Sequence, residues 1–185
     1  MEISVSPQLE AILGYARDEA VRTGHFGLTV DHLALGALRH GDNEFCTILK
    51  SLGIDLDELK GHIDSQVFRP QPISWADIDR VGFARSAVNA LNLSVYEALK
   101  EDCHQPGPAH LLIGASRCER NAFKDFLDSK GIGTAELAAA RAGKLQRPLP
   151  KKSNLPDAKD IADALEAELR RVMAEGYSIN GGTPS

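Results

Sequence analysis

The most constraining feature of this sequence is an internal repeat, because a chain that contains one pattern twice is expected to fold the same unit twice. The stretch HLALGALRHGDNEFCTILKSLGI at residues 32–54 is followed by HLLIGASRCERNAFKDFLDSKGI at residues 110–132, and an offset of 78 residues aligns them without a gap. The aligned pairs include His32 and His110, Gly36 and Gly114, Asn43 and Asn121, Phe45 and Phe123, Leu49 and Leu127, Ser51 and Ser129, and Gly53 and Gly131. Chance seldom keeps so many pairs at one offset, so the chain is predicted to contain two related copies.

Each copy is predicted to form four short helices, since capping residues and apolar stripes recur along it. In copy one, Ser6 is a good N-cap and Pro7 suits the first helical position. The next three helices are predicted to begin after Thr29, near Asn43 and at Asp55. Copy one is therefore predicted to be a bundle of four helices.

Copy two has similar helix start signals, with Gly107 and Pro108 at the start of its second helix and Asn121 before its third. Its first helix is predicted over Ala84–Lys100, and residues 74–82 before it fit either a helix or a loop. No strand pattern is evident in either copy, so the interpretation is the same for both: helices joined by short loops.

The predicted fold class is all-α, with two tandem four-helix repeats and a further helix at the C-terminus. Copy one is assigned to residues 3–69 and copy two to residues 81–142. Four short helices alone leave an apolar face uncovered, and a second copy can cover it. Pseudo-twofold packing of the copies would give one core and a groove between the two halves.

The C-terminal region has a different composition. Residues 143–156 contain three prolines and the basic run 147–152, and are predicted to be a solvated linker. Residues 157–185 are predicted to form a helix over 157–176 and then a flexible tail. The helix has a narrow apolar stripe that consists of Ile161, Leu165, Leu169 and Val172. Such a stripe predicts that the helix docks, either on its own domain or on a partner.

Composition excludes several classes of function. A net charge of -5 and a pI of about 5.7 argue against a general nucleic-acid binder, which normally carries a basic face. No apolar run approaches the roughly 20 residues of a membrane span. Three cysteines at irregular spacing, and an N-terminus without a signal-peptide pattern, favour a reducing cytoplasm as the compartment.

The repeated motif resembles a known family. Copy one reads TVDHLALGALRHG and then ILKSLGID, and copy two reads GPAHLLIGASRCE and then FLDSKGIG. These stretches resemble the Clp N-terminal (R) domain, the doubled four-helix module at the front of ClpA- and ClpC-type AAA+ unfoldases. The family's recurrent pattern is roughly G-T-E-H-L-L-L-G-L-L-R-E-G, followed by V-L-x-x-L-G-V-D. The resemblance covers about residues 3–140.

This resemblance implies a protein-recognition module and not an enzyme. In the family, the domain receives adaptors and substrate proteins and passes them to an ATP-driven unfolding ring. The sequence contains no G-x-x-x-x-G-K-[ST] phosphate loop, and no cofactor is implied. The C-terminal region does not resemble the start of an ATPase domain, which favours a stand-alone or divergent member over a detached N domain.

Two alternatives to this function stay open. The chain could be a helical scaffold that associates with itself through the C-terminal helix. It could also be a small hydrolase that uses Cys103, His104 or Cys118 in the cleft between the copies. No metal site is predicted, because no further ligands are spaced to join these residues.

One possible ligand site involves Ser6 and Asp31. In some ClpC-type domains, a threonine at the start of the first helix and the glutamate of G-T-E-H help to bind phosphorylated arginine, and the resemblance implies these two positions here. A helix N-terminus suits phosphate, and a carboxylate suits a guanidinium. Copy two has Ala84 and Ala109 at the matching positions, so two equivalent pockets are not expected. The alternative is that Ser6 and Asp31 only cap helices.

The aromatic residues near the connection between the copies are the other candidate site. Phe68, Trp75 and Phe83 flank this connection in a chain that is otherwise poor in aromatics, and they are predicted to line a groove that grips a partner protein. His32 and His110 recur at one position, and each is predicted to pack inside its copy with one ring nitrogen bonded to the backbone.

Overall fold

A computed structural model of the chain describes residues 1–144 and 155–180, with no side-chain description for residues 144 and 176–180. These residues form nine α-helices, a 3-10 helix and two strands of two residues each. The α-helices are α1 Pro7–Thr23, α2 Val30–His40, α3 Glu44–Ser51, α4 Leu56–Val67, α5 Arg85–Lys100, α6 Pro108–Ser116, α7 Ala122–Ser129, α8 Thr134–Lys144 and α9 Ala158–Asn180. The all-α prediction is confirmed.

The helices of copy one recur in copy two at the offset found in the sequence. The first residues of α1, α2, α3 and α4 each lie 78 positions before the first residues of α5, α6, α7 and α8. Ser6 and Ala84 are the N-caps of α1 and α5, while Asn43 and Asn121 cap α3 and α7 through their side chains. The asparagine caps are therefore shared by both copies, while α5 begins at the matching position without a side-chain cap.

The two copies exchange backbone hydrogen bonds reciprocally. The Ser6 N–H donates to the Pro106 carbonyl at 2.9 Å, and the Ala84 N–H donates to the Leu28 carbonyl at 2.8 Å. An offset of 78 relates donor to donor and acceptor to acceptor. The start of the first helix in each copy thus pairs with the segment before the second helix of the other copy, which is the reciprocity that pseudo-twofold packing requires.

One of these pairings forms a short parallel ladder between β1, Gly27–Leu28, and β2, Gly82–Phe83. The expectation that the chain has no strands was therefore wrong at these positions. Two residues give no alternation of polar and apolar side chains, so the strands leave no pattern in the sequence. Before β2, the segment that fitted either a helix or a loop forms a 3-10 helix at Trp75–Arg80.

Two glycines allow the first and second helices of each copy to pack closely. A Cβ at Gly36 of α2 would lie 2.6 Å from the Ile12 carbonyl oxygen of α1. A Cβ at Gly114 of α6 would lie 2.3 Å from the Ala90 carbonyl oxygen of α5. Because these distances are shorter than van der Waals contact, only glycine fits at either crossing. The same close contact between the first and second helices therefore occurs in both copies.

The core runs continuously through both copies. Phe45 of α3 and Phe123 of α7 are fully buried, and their ring centroids are 5.5 Å apart. These two residues occupy the same position in the repeat, so the aromatic pair lies where the copies meet. The surrounding cluster is mainly leucine, isoleucine, valine and alanine and includes side chains from both copies and from α9.

The C-terminal helix docks on the chain's own domain. The four side chains of its apolar stripe are buried, and α9 contacts both α1 and α5. The helix continues to Asn180, beyond the predicted end at residue 176, and the first glycine pair in the sequence comes only at residues 181–182. Residues 145–154, which include the basic run 147–152, and residues 181–185 lie outside the described residues.

Candidate functional site

Ser6 caps α1 and lies beside copy two. Its Oγ accepts a hydrogen bond from the Leu9 N–H at 3.2 Å, which is the N-cap contact expected from the sequence. A Cβ at Gly107, the N-cap of α6, would lie 3.4 Å from this Oγ. Ser6 therefore lies at the junction where α1 of copy one meets the start of α6 of copy two.

Asp31 caps a helix in copy two. Its carboxylate accepts hydrogen bonds from the backbone N–H groups of Phe123, at 2.9 Å, and Ala122, at 3.3 Å. These groups open α7, whose positive dipole end favours a carboxylate. Burial raises the pKa of the Asp31 carboxyl above its usual value, and the two backbone hydrogen bonds act in the opposite direction.

The structure does not join Ser6 and Asp31 directly. Ser6 lies next to the start of α6, whereas the Asp31 carboxylate contacts the start of α7, and no hydrogen bond links these two described side chains. Ser6 caps its own helix, as in the alternative interpretation, whereas Asp31 caps α7 of the other copy, a contact that was not predicted. Ala84 caps α5 without a side-chain hydrogen bond, and Ala109 carries no carboxylate. A phosphoarginine site at Ser6 and Asp31 stays a prediction.

The repeated histidines have the predicted structural role. The Thr29 N–H donates to Nδ1 of His32 at 3.0 Å, and the Gly107 N–H donates to Nδ1 of His110 at 3.0 Å. On its other side, Nε2 of His32 lies 2.9 Å from the Thr23 hydroxyl. Burial, together with the neighbouring His25, lowers the pKa of His32 to about 3, so this ring is neutral near pH 7.

The three predicted aromatic residues have different environments. Phe68 and Trp75 are 54% and 58% exposed, whereas Phe83 is half-buried and packs against the core from β2. Trp75 lines an open pocket of about 530 Å³ in copy one, and Phe68 and Phe83 do not line it. The other lining residues are Glu19, Arg22, Leu38, Arg39 and Lys60. We call this cavity the Trp75 pocket.

The Trp75 pocket is lined with charged residues that form a connected network. Glu19 is almost completely buried and lies 2.6 Å from Arg22 Nη2 and 3.2 Å from Arg39 Nη1. Asp64 joins the network through Arg22 at 2.5 Å and Lys60 at 2.7 Å. Partial burial would raise the pKa of Asp64, but its hydrogen bonds with Lys60 and Arg22 outweigh burial and lower it.

Copy two repeats the centre of this network without the rest of the pocket. Glu97 pairs with Lys100 at 2.8 Å and with Arg117 at 2.5 Å, which are the positions that match Glu19, Arg22 and Arg39. The residues that match Leu38 and Lys60 are Ser116 and Ala138. This buried glutamate was not among the residues predicted from the sequence, although it recurs at the offset of 78 as Glu19 and Glu97.

All three cysteines are free thiols, and two of them are buried. Cys46 and Cys118 are buried, and burial raises the pKa of both thiols, so the nucleophilic thiolate is disfavoured. Cys103 is half-buried, and its thiol donates to the Gln105 carbonyl. The described residues contain no group of three or more side chains suited to a metal ion. They also contain no helix with the length and apolar character of a membrane span.

The relatives of this chain are Clp proteins. The chain is 26% identical over 123 residues to the negative regulator of genetic competence ClpC/MecB of Bacillus subtilis, with 66% of this chain and 15% of that protein covered. It is 24% identical over 176 residues to the chaperone protein ClpB of Oceanobacillus iheyensis, with 95% and 19% covered. The chain therefore spans less than a fifth of the length of either relative.

Two solved structures share the fold. The N-terminal domain of the chaperone ClpD from Arabidopsis thaliana has a TM-score of 0.59 at 18% identity, and the match covers 77% of this chain and 97% of that domain. The Hsp104 N-terminal domain from Candida albicans has a TM-score of 0.64 at 11% identity, with 79% and 94% covered. The family model of the Clp repeat (R) N-terminal domain matches residues 4–130, and the chain belongs to this family.

Proposed function

We propose that this chain is a non-catalytic protein-recognition domain that binds adaptors or substrate proteins for a Clp-type AAA+ unfoldase in the cytoplasm, either as a stand-alone module or as the N domain of a longer protein. Membership of the Clp repeat (R) N-terminal domain family supports a binding role. Of the cysteines named in the hydrolase alternative, Cys118 is buried with a raised thiol pKa, which gives that alternative no support.

The observation that carries the proposal is the exposure of Trp75 beside an open pocket. A tryptophan that is 58% exposed leaves a large apolar surface in water, and such side chains are frequent anchors in protein interfaces. The aliphatic Leu38 lines the same pocket. The pocket is therefore suited to an apolar side chain from an unfolded or extended segment of another protein.

The cations that line the Trp75 pocket are paired with carboxylates. Three cations, Arg22, Arg39 and Lys60, line it with a single carboxylate, Glu19. Arg39 and Lys60 are each more than 40% exposed at the side chain, so both can reach a bound segment. Asp64 and Asp18 also pair with these cations, so the fit of a bound segment to the pocket depends on the apolar surface of Trp75 and Leu38.

The proposal can be tested with purified protein and a permanently unfolded probe. Reduced, carboxymethylated and fluorescently labelled α-lactalbumin would be titrated with the chain while anisotropy is recorded. Trp75→Ala is expected to weaken binding about tenfold, as truncation of an aromatic anchor does. Tyr96→Ala is the matched control, because Tyr96 is an aromatic of copy two that is 37% exposed. Equal affinities of both variants and the wild type would contradict a role for the Trp75 pocket.

Affinity capture from the native cell, followed by mass spectrometry, would identify the partner. Recovery of a Clp ring subunit, an adaptor or damaged proteins by the wild type, with reduced recovery by Trp75→Ala, is expected. A second capture with Asp31→Ala tests the finer proposal that arginine-phosphorylated proteins bind at Ser6 and Asp31. If their recovery does not change in Asp31→Ala, that pocket is wrong while the Trp75 pocket is unaffected.

A further inference from the structure

An open cavity of about 670 Å³ lies on the first helix of copy two, apart from the Trp75 pocket. Its lining residues, all from α5, are Arg85, Ser86, Val88, Asn89 and Asn92. We call this cavity the α5 pocket. The exposed guanidinium of Arg85 forms no ion pair with any residue that the structure describes. The Nδ2 group of Asn89 makes only a weak contact with Cys118 Sγ, at 3.7 Å. The α5 pocket therefore offers hydrogen-bond donors that the described part of the chain leaves largely unused.

A backbone donor next to the start of α5 is also without a partner. The N–H groups of Gly82 and Ala84, on either side of Phe83, donate to carbonyls of copy one across the short ladder. Because neighbouring residues of a strand direct their N–H groups to opposite sides, the Phe83 N–H points away from β1. Among residues 1–144 and 155–180, none accepts a hydrogen bond from it.

Copy one shows what the matching backbone donor binds. The offset of 78 relates Phe83 to Val5, and the Val5 N–H donates to Oε1 of Glu168 at 2.9 Å. Hydrogen bonds from Arg171 and from the Val5 N–H lower the pKa of the Glu168 carboxyl, although its burial acts in the opposite direction. At this position of the repeat, copy one therefore binds an ionised carboxylate.

The matching space in copy two is the α5 pocket. In copy one, two residues of α9 that lie one helical turn apart contact the Val5 N–H and the Glu10 carboxylate, so Val5 and Glu10 border one space. The offset places Phe83 and Val88 at these two positions, and Val88 lines the α5 pocket. Because Val88 replaces Glu10, the pocket suits an apolar group where copy one binds a cation.

We infer that the α5 pocket is a second binding site of this protein, and that its ligand is a carboxylate of a partner polypeptide that has an apolar side chain beside it. The Phe83 N–H and the Arg85 guanidinium donate to the carboxylate, and Val88 contacts the apolar side chain. The ligand is a polypeptide because the carboxylate at the matching position of copy one is a side chain, that of Glu168. This inference goes beyond the function proposed for the Trp75 pocket and does not depend on it.

Nuclear magnetic resonance of the full chain, labelled with nitrogen-15, tests the inference at the donor itself. The probe is N-acetyl-glutamyl-leucinamide, and N-acetyl-glutaminyl-leucinamide is the control compound of the same shape without the charge. The first should move the Phe83 amide proton downfield in a saturable titration, with a dissociation constant on the order of millimolar for so small a probe. The second should leave this proton in place. The Val5 amide, which already donates to a carboxylate, should move with neither.

Variants of the same chain test the role of the cation. Arg85→Gln should weaken binding of the probe about tenfold, because it removes a charge-assisted hydrogen bond. The matched control is Lys50→Gln, which removes one positive charge from an exposed position of copy one and should leave the titration unchanged. Trp75→Ala should leave it unchanged as well, so that failure of the Trp75 pocket and failure of the α5 pocket can be distinguished. Tyr96, the control position for Trp75, lies about 16 Å beyond Arg85 along α5 and does not line the α5 pocket.

Three outcomes of these titrations would overturn the inference. One is the absence of any saturable movement of the Phe83 amide with the glutamyl probe. Another is equal movement with the glutaminyl compound, which would show that the carboxylate is not required. The third uses inorganic phosphate as the titrant: movement of the Phe83 amide at lower concentrations of phosphate than of the probe would assign the pocket to a phosphoryl group and would contradict a carboxylate ligand.

Discussion

Copy one, α1 to α4, and copy two, α5 to α8, have the same residues where their helices touch and different residues where their surfaces are open. Both contain the glycine at the helix crossing, the histidine bonded to the backbone and the buried glutamate between two cations. Leu38 and Lys60, which line the pocket beside Trp75, occur in copy one and are replaced by Ser116 and Ala138 in copy two. The difference indicates that packing constrains both copies alike, whereas the residues of the Trp75 pocket, which is the surface proposed for binding an apolar segment, occur only in and beside copy one.

The largest effect is expected from replacement of the crossing glycines. Gly36→Ala and Gly114→Ala should each lower the free energy of unfolding by about 3 kcal/mol or more, because the new methyl group meets backbone atoms that cannot move aside without displacing a helix. Gly114→Ala should be the more severe, since its contact with the Ala90 carbonyl would be the shorter. Urea denaturation followed by circular dichroism measures both.

The control for these variants is Gly61→Ala. Gly61 lies in the exposed face of α4, and a Cβ there would meet nothing within 4 Å. Alanine should therefore raise stability by up to about 1 kcal/mol through its better helix propensity. If Gly36→Ala behaved like Gly61→Ala, the close crossing of α1 and α2 would be wrong.

The second prediction concerns the two histidines. Each accepts a hydrogen bond from a backbone N–H at Nδ1, but their Nε2 atoms have different partners. His32 faces the Thr23 hydroxyl, while Nε2 of His110 lies 3.3 Å from the Glu101 carboxylate. Because the pKa of His32 falls to about 3 in the folded protein, the unfolded chain binds one more proton below about pH 6.5. Stability should therefore fall as pH falls, by about 1.4 kcal/mol per pH unit and about 2 kcal/mol by pH 5.

The pH dependence is measured by urea denaturation at several values between about pH 7 and pH 5, above the range in which ordinary carboxyl groups titrate. His32→Gln is expected to be less stable than the wild type at every pH. Its free energy of unfolding should also depend less steeply on pH, by about 1.4 kcal/mol per pH unit, because the variant lacks the group that titrates. An unchanged slope in this variant would show that His32 does not carry the pH dependence.

The third prediction tests the helix cap that only copy one provides. Asp31→Ala leaves the Phe123 and Ala122 N–H groups at the start of α7 without their carboxylate, and should cost about 1–2 kcal/mol. Asp31→Asn retains one acceptor oxygen and should cost less. Equal losses in the two variants, measured by urea denaturation, would mean that the carboxylate does not act as a cap.

The smallest effect is expected from the exposed cations of the duplicated network. Arg39→Ala and Arg117→Ala should each cost about 0.5–1 kcal/mol, because both side chains are about a third or more exposed and water screens their pairs with Glu19 and Glu97. Similar values in thermal unfolding would confirm that the network is equivalent in both copies. A loss of stability several times larger for one of these two variants would show that the network is not equivalent in the two copies.

Local features of this fold could be predicted from the sequence, whereas long-range contacts could not. Ser6, Asn43 and Asn121 act within one turn of their own helix, so each helix start was predictable. The cap that Asp31 supplies to Phe123 joins residues 92 positions apart, and no local pattern indicates it. The apolar stripe of α9 predicted that this helix docks, but it did not indicate that the docking surface consists of α1 and α5, since an apolar stripe does not specify its partner surface.

The candidate site was predictable in part for the same reason. The scarcity of aromatics singled out Trp75, but its neighbours in the pocket come from α1, α2 and α4, which only the tertiary fold brings together. Phe83, chosen on the same grounds, lies on β2 and packs against the core.

Site-specific photo-crosslinking in the native cell tests most directly whether copy one presents the protein-binding surface. A benzoylphenylalanine would replace Trp75 in one sample and Tyr96, the exposed aromatic of copy two, in another. Irradiation should yield discrete crosslinks to other proteins from position 75 and few from position 96. Crosslinks of equal yield from both positions, or from position 96 alone, would contradict the account.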